Sequence, residues 1–353
     1  MPKPTKNILV IRFSAMGDVA MTVPVLRALT QQHPELKVTL LTRAFFAPFF
    51  RDIQNVNVFS ADLKGKHKGV FGLYKLSKEI KKLNINVTSS GVEKSSLKID
   101  AIADLHNVLR TKVLKHFLRC KRFISIDKGR KEKKQLTSGK IFEPLKTTHQ
   151  RYADVFDGLG YPVDLSNPSF PEKAELSTKL KDLLGESSQK MIGIAPFAAH
   201  SGKMYPLELT KKVIETLSKD YKIVLFGGGK KEIDILNKME SAFENTVIIA
   251  GKLSLDEELD MVSNLEVMLS MDSGNAHIAA MMGIKTVTIW GVTHPYAGFA
   301  PFNQPKDYAI LPDRNQFPLI PTSVYGNKYP ENYEAAAGSI FPETVVEKIK
   351  SII

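Results

Sequence analysis

The sequence predicts an α/β protein with two parallel-sheet halves, and three observations predict it. Short apolar runs of strand length alternate with helix-length amphipathic segments along most of the chain. The alternation breaks once, in the segment 164–172 around Pro168 and Pro171, and then restarts. Two strand-to-helix junctions, Gly17-Asp18 and Asp272-Ser273-Gly274, carry the residues by which open sheets hold ligands at the carboxyl ends of strands.

In the first half, Asn7 to Phe13 reads as a buried strand, followed by a tight turn at Ser14 to Asp18 and a helix over 19–32. Strands are predicted at 37–42, 56–60, 101–105 and 122–126, with helices at 74–83 and 108–118 and a short aromatic-rich segment at 45–50. Residues 127–148 are lysine-rich and lack periodicity, so they read as an exposed loop. The helix at 151–160 stops at Gly160, with Pro162 just beyond. In the second half, strands at 191–195, 222–226, 247–249, 267–270 and 286–290 alternate with helices at 207–218, 230–243, 255–263 and 276–282. A terminal amphipathic helix is predicted over 341–353. Two such halves imply a ligand cleft between them.

Composition narrows the class. The chain has 353 residues, 43% hydrophobic and 24% charged, which is globular and long enough for two cores. Its single cysteine, Cys120, allows no internal disulfide and fits a reducing compartment. No apolar run approaches the ~20 residues that cross a bilayer. Lys3 and Lys6 before an apolar stretch imitate a leader peptide. Arg12 and Asp18 interrupt that stretch, so a cytoplasmic protein is expected. The net charge of +12 is uneven: residues 1–172 hold 30 Lys and Arg against 15 Asp and Glu, and the remainder 19 against 22. A basic half points to an anionic partner or to a solubilising lysine surface.

The junctions supply the candidate chemistry. Ser273 is a natural cap for a helix whose free N–H groups favour an anion, so Asp272-Ser273-Gly274 predicts a phosphate-bearing ligand with hydroxyls for Asp272. Asp18 at the first strand's end is a candidate general base or a capping carboxylate, with Ser14 and Gly17 shaping its turn. Lys203, assisted by Ser201, could pair with phosphate or stay solvated. At Gly227-Gly228-Gly229, Glu232 is a dipole partner or a ribose acceptor. His277, one turn into its helix, could meet a phosphate or fix the loop. No second ligand recurs at zinc spacing. The chain lacks a G-x-G-x-x-G fingerprint, a P-loop, a G-x-S-x-G elbow and any D-x-D.

Together these segments resemble glycosyltransferase family 9, the heptosyltransferases of lipopolysaccharide core assembly. The resemblance is carried by Ile11 to Val19 with Pro24, by Ser201-Gly202-Lys203 with Tyr205-Pro206, by Gly227 to Glu232, and by Met271 to Ala280 followed by Thr286 to Pro295. Where the family often has Gly-Pro-Thr-x-Pro, this chain has Gly291-Val292-Thr293-His294-Pro295. The resemblance implies a GT-B fold: a Rossmann-like acceptor domain at 1–170, a nucleotide-sugar domain at 171–334, and residues 335–353 packing back on the first domain. It implies inverting transfer of heptose from an ADP-sugar substrate, with no cofactor or essential metal. Asp18 would be the base. Lys203, Ser273 and Gly274 would hold the diphosphate, with Ser201 and Gly228 in the same donor site. Glu232 would meet the ribose and Asp272 the sugar hydroxyls, while His277 has no settled role. An anionic glycolipid acceptor and a peripheral place at the inner membrane would suit the basic half. Arg12, Lys128, Arg130, Lys133 and Lys134 are the expected acceptor or membrane contacts. The rival readings are a GT-B enzyme with another donor, a nucleic-acid-binding protein, and a dehydrogenase. The missing glycine fingerprint weighs against the dehydrogenase, and no nucleic-acid module is recognisable.

Overall fold

The computed structural model describes residues 6–83, 99–185 and 188–353, so Lys3 lies outside the described residues. Two compact units form, one from residues up to Lys128 with His149–Ser169, the other from Gly129–Thr148 with Phe170–Ile353.

The first unit holds five parallel strands, β1 (Lys6–Ile11), β2 (Leu36–Thr42), β3 (Val56–Ser60), β4 (Ile99–Asp104) and β5 (Phe123–Ser125), in the order β3-β2-β1-β4-β5. Ile8, Leu9, Val10 and Ile11 are all buried, as a central parallel strand covered on both faces requires. The predicted helix over 19–32 is two, α1 (Met16–Ala20) and α2 (Thr22–Gln32). Helices α3 (Gly69–Leu83) and α4 (Leu109–Leu118) share one face of the sheet, where Leu73, Leu76, Ile80 and Leu114 meet Leu9, Ile11 and Ile102.

Residues 127–148 differ from the expected loop. They contain α5 (Arg130–Thr137) and, from Gly129 on, belong to the second unit, where Leu136 and Leu145 pack with Ala297. Ile141 packs against the same cluster and Phe142 against His294 and Tyr296, so a few apolar residues anchor this lysine-rich stretch. Helix α6 (Thr148–Gly158) follows, and its chain stops as predicted at Gly160, whose φ of 84° suits glycine.

The second unit opens with α7 (Thr178–Leu184), which the sequence reading missed. Its sheet has the order β11-β10-β9-β6-β7-β8, all parallel, from β6 (Met191–Ala195), β7 (Lys222–Leu225), β8 (Thr246–Ile248), β9 (Val267–Met271), β10 (Lys285–Ile289) and β11 (Ala309–Ile310). Helices α8 (Leu207–Leu217), α9 (Lys230–Ala242), α10 (Leu255–Ser263) and α11 (Gly274–Met281) connect them. The last helix, α12 (Pro342–Ile352), was expected to pack on the first domain. Its apolar stripe of Val345, Val346 and Ile349 lies instead in the second unit's core, beside Val213 and Leu217 of α8. Lys350 pairs with Asp220 at 2.8 Å, and the Tyr205 hydroxyl donates to the Ile340 carbonyl at 2.9 Å. Burying such side chains stabilises by about 1.5–3 kcal/mol each, which fixes the helix to this unit.

Candidate active site

In the first unit the candidate residues gather where β1 ends. Arg12 is buried, and a buried guanidinium needs partners because it stays charged. Its Nη2 meets Asp18 Oδ2 at 2.5 Å and its Nη1 donates to the Leu105 carbonyl at 2.7 Å. Arg12 was expected as an acceptor or membrane contact; burial removes it from that role and makes it the brace of Asp18. The same Oδ2 accepts the Ala15 N–H at 3.2 Å, so Asp18 also closes the start of α1. The Tyr152 hydroxyl donates to the Asp18 carbonyl at 3.2 Å. Burial pushes the Tyr152 phenol up, so it remains a donor. The Asp18 side chain is 29% exposed, and among the described residues no hydrogen bond reaches its Oδ1. One Asp18 oxygen therefore caps and pairs, as the capping reading expects, and the other accepts no hydrogen bond among the described residues. Ser14 and Gly17 are half-buried on the same turn, and Gly17 lies within α1, its carbonyl accepting the Met21 N–H at 2.9 Å.

The neighbouring turn, after β4, is organised by Asp104. This buried carboxylate accepts the His106 and Asn107 N–H groups at 3.0 and 2.9 Å, and the Thr111 and Ser125 hydroxyls at 2.8 and 3.1 Å. His106 lies edge-on to Phe13. Burial, aided by the charges of Arg12 and Lys128, lowers its pKa to about 3.

In the second unit the loops after the adjacent strands β6, β9 and β10 converge. Lys203 Nζ meets Asp272 Oδ2 at 2.7 Å, and the Thr293 hydroxyl donates to the same oxygen at 2.8 Å. Asp272 is only 7% exposed. Lys203 is thus not a solvated loop lysine, and among the described residues its ammonium has no second partner, which leaves donors for another anion. Its loop is seated backbone against backbone: the Val292 N–H donates to the Gly202 carbonyl at 2.8 Å, and a Cβ on Gly291 would collide with that carbonyl. The Ser201 hydroxyl is engaged with Tyr329 at 2.7 Å.

Ser273 occupies the N-cap of α11, but its hydroxyl turns to Ser270 at 3.1 Å rather than capping. The first N–H groups of α11, from Gly274 onward, therefore lack a side-chain cap and keep their affinity for an anion. His277 is buried in the body of α11. At the end of β7, Glu232 Oε2 accepts the Gly228 N–H at 2.8 Å. That bond uses one oxygen to fix the glycine turn and leaves Oε1 without a hydrogen bond among the described residues.

The second unit's fold brings Lys203, Asp272, Ser273 and Gly274 together, with Gly228 and Glu232 on the same carboxyl edge. Sequence reasoning missed Thr293, Tyr152 and His106. Thr293 was legible as a hydroxyl just past a strand end; Tyr152 had no local signal, standing 134 residues from Asp18. Of the other four basic residues expected as contacts beside Arg12, Lys133 is buried with its ammonium 4.0 Å from the Phe299 ring centre, so it is not a surface contact. Arg130 and Lys134 are exposed four residues apart on α5, and Lys128 is half-buried. Among the described residues no group of three or more His, Cys, Asp and Glu side chains gathers as metal ligands.

The family description "Glycosyltransferase family 9 (heptosyltransferase)" matches residues 96–318, well over half the chain. The chain belongs to glycosyltransferase family 9. It is therefore a glycosyltransferase, and family membership sets aside the nucleic-acid-binding and dehydrogenase readings. It is 24% identical over 321 residues to the lipopolysaccharide core heptosyltransferase OpsX of Haemophilus influenzae, covering 88% of this chain and 86% of that protein. It is 21% identical over 344 residues to lipooligosaccharide heptosyltransferase 2 of Campylobacter jejuni, covering 96% of each. Among solved structures, the family 9 glycosyltransferase of Veillonella parvula matches with a TM-score of 0.74 at 19% identity, covering 100% of this chain and 98% of that one. The E. coli heptosyltransferase WaaC, solved with ADP, matches with a TM-score of 0.66 at 16% identity, covering 98% of this chain and all of that one. The fold is GT-B, two Rossmann-like units with parallel sheets, as the sequence predicts. Among the described residues no helix is long and apolar enough to cross a membrane.

Proposed function

We propose that this glycosyltransferase moves a heptose from ADP-heptose to a hydroxyl of an inner-core lipopolysaccharide acceptor, with inversion at the anomeric carbon and no required metal or cofactor. The observation that carries the reading is the Lys203 ammonium held at Asp272 beside the uncapped start of α11. That arrangement fits a leaving diphosphate. Oriented N–H donors and a fixed cation stabilise charge as it develops, the work a metal does elsewhere. ADP as the nucleotide is supported by WaaC, solved with ADP.

The acceptor hydroxyl gives its proton to Oδ1 of Asp18 as its oxygen attacks the anomeric carbon. The bond from that carbon to the diphosphate oxygen breaks, and its electron pair leaves with ADP. Lys203 and the α11 amides receive that charge. Glu232 Oε1 accepts from the ribose, and Asp272 orients sugar hydroxyls. Lys128, Arg130 and Lys134 face carboxylates or phosphates of the acceptor. The protein works in the cytoplasm, peripherally at the inner membrane where such an acceptor resides.

Calorimetry with ADP, UDP and GDP, paired with turnover of ADP-heptose, tests the donor assignment. Tightest binding of ADP is expected, and turnover should survive chelation of metals. Tight UDP or GDP binding with no response to ADP would overturn the assignment, and activity lost to EDTA would restore a metal.

A further inference from the structure

The first unit carries an exposed apolar patch that its fold does not use. On α3, Phe71 is 90% exposed, Val70 58% and Tyr74 48%. The same helix face continues through Lys75, Lys78 and Lys82, all exposed, while Leu73, Leu76 and Ile80 on the opposite face form the core. A helix needs only its inner stripe for folding, and Val70 and Phe71 at its outer N-terminal end lie outside that stripe. Tyr74 packs edge-on to Phe117, and Lys81 donates to the Phe117 carbonyl at 2.8 Å, which sets α4 beside α3. At the start of α4, Leu109 is 78% exposed.

Charge surrounds this patch. Residues 62–83 and 105–122 together contain thirteen Lys and Arg against only Asp62 and Glu79. Glu79 is already bound by Lys66 at 2.8 Å and by His67 at 3.2 Å. These two segments hold nearly all of the chain's excess of +12. Topology adds a third observation. Val70 and Phe71 open the helix that follows β3 and Leu109 opens the one that follows β4, so these three lie nearer the carboxyl edge of the parallel sheet, the edge from which Asp18 projects, than the ends of their helices do.

We propose that the α3–α4 face of the first unit docks on an anionic lipid bilayer, with Val70 and Phe71 entering the headgroup boundary and the lysines meeting acidic headgroups. Exposed aliphatic and aromatic side chains on a helix otherwise rich in lysine are the signature of an interfacial helix. The inference builds on the reading of a membrane-borne acceptor: bound this way, the enzyme presents its Asp18 edge to the surface where the acceptor stands. It also moves the lipid contact from the 128–134 cluster to α3.

Co-sedimentation of the full chain with vesicles of phosphatidylethanolamine and phosphatidylglycerol tests this. The wild type should bind them and bind phosphatidylcholine vesicles far less. Lys75→Glu/Lys78→Glu should weaken binding on the order of 30-fold or more, since each lysine near such a surface is worth about 1 kcal/mol. Val70→Ser/Phe71→Ser should weaken it by a comparable factor with an unchanged Tm, because those side chains are exposed in the fold. Arg130→Glu/Lys134→Glu should bind vesicles as the wild type does. The proposal is overturned if the wild type ignores acidic vesicles, if the α3 variants bind them normally, or if a self-association that Phe71→Ser abolishes accounts for the patch instead. Vesicle binding reads the surface and ADP-heptose turnover reads the donor assignment, so failure of one is distinguishable from failure of the other.

Discussion

The two units each place an aspartate just beyond a sheet's central strand, and the two are put to different use. Asp18 and Asp272 share one bonding pattern: a single oxygen, Oδ2, takes a cation and a neutral donor. For Asp18 these are Arg12 and the Ala15 N–H; for Asp272 they are Lys203 and the Thr293 hydroxyl. Exposure separates them, 29% for the Asp18 side chain against 7% for Asp272. In the first unit the cation is the buried partner and the carboxylate reaches solvent. In the second the carboxylate is the buried partner, and the cation is held by it at the head of a helix. In the proposed reaction the same pair of charges serves as a proton acceptor in one place and an anion receptor in the other, according to which member the fold buries.

The largest effect that could break this comparison is on turnover. Asp18→Asn should lower kcat by about 10²–10⁴-fold, the usual worth of a positioned base, while ADP affinity measured by calorimetry stays within twofold. Near-wild-type turnover would make Asp18 merely a cap. Asp272→Ala should act on the other axis. Removing one member of a buried pair costs on the order of 3 kcal/mol, which lowers Tm by roughly 6–12 °C in a unit of this size. ADP affinity should hold or rise, because the ammonium is released to the diphosphate. An unchanged melting curve in differential scanning calorimetry would contradict the buried-carboxylate role.

Each unit also buries a histidine whose pKa lies well below its ordinary value, which extends the comparison to pH. Burial, with Arg12 and Lys128, takes His106 down to about 3; burial, with Arg314, takes His294 down to about 4. Below pH 6.5 the unfolded chain binds protons at these sites that the folded chain refuses, so stability falls with pH until the folded values are reached. The penalty should be about 2–3 kcal/mol per histidine near pH 4. His106→Gln and His294→Gln should each flatten the stability profile between pH 6.5 and 4 in denaturant titrations. A profile as steep as the wild type's would reject the assignment. The smallest expected effect is that of Tyr152→Phe. It removes one neutral hydrogen bond to the Asp18 backbone, worth about 1 kcal/mol, and should lower kcat a few-fold.

Much of this was legible in the sequence because parallel strands buried on both faces leave near-continuous apolar runs such as Ile8 to Ile11. The junction motifs were legible because glycine, serine and aspartate at strand ends have local reasons to be there. What escaped was set by long-range packing. The burial of Arg12 depends on Leu105 and Tyr152, and nothing near position 12 announces either. Helix α5 was hidden by its lysines, because Leu136 is the one apolar side chain in Arg130–Thr137 and a single residue sets no period. The amphipathic pattern of α12 was plain, but a pattern states that a helix has a buried face and not which core receives it. The exposed Phe71 was invisible for the same reason: sequence shows an aromatic residue, and only the fold shows that it faces outward.

The claim at the centre is a single displacement in which Asp18 deprotonates the attacking hydroxyl while the diphosphate departs from the opposite side. The anomeric configuration of the product, read by NMR coupling constants after transfer from ADP-heptose to an inner-core acceptor, tests it most directly. A single displacement gives a configuration inverted relative to the donor. A product with the donor's configuration retained would contradict it.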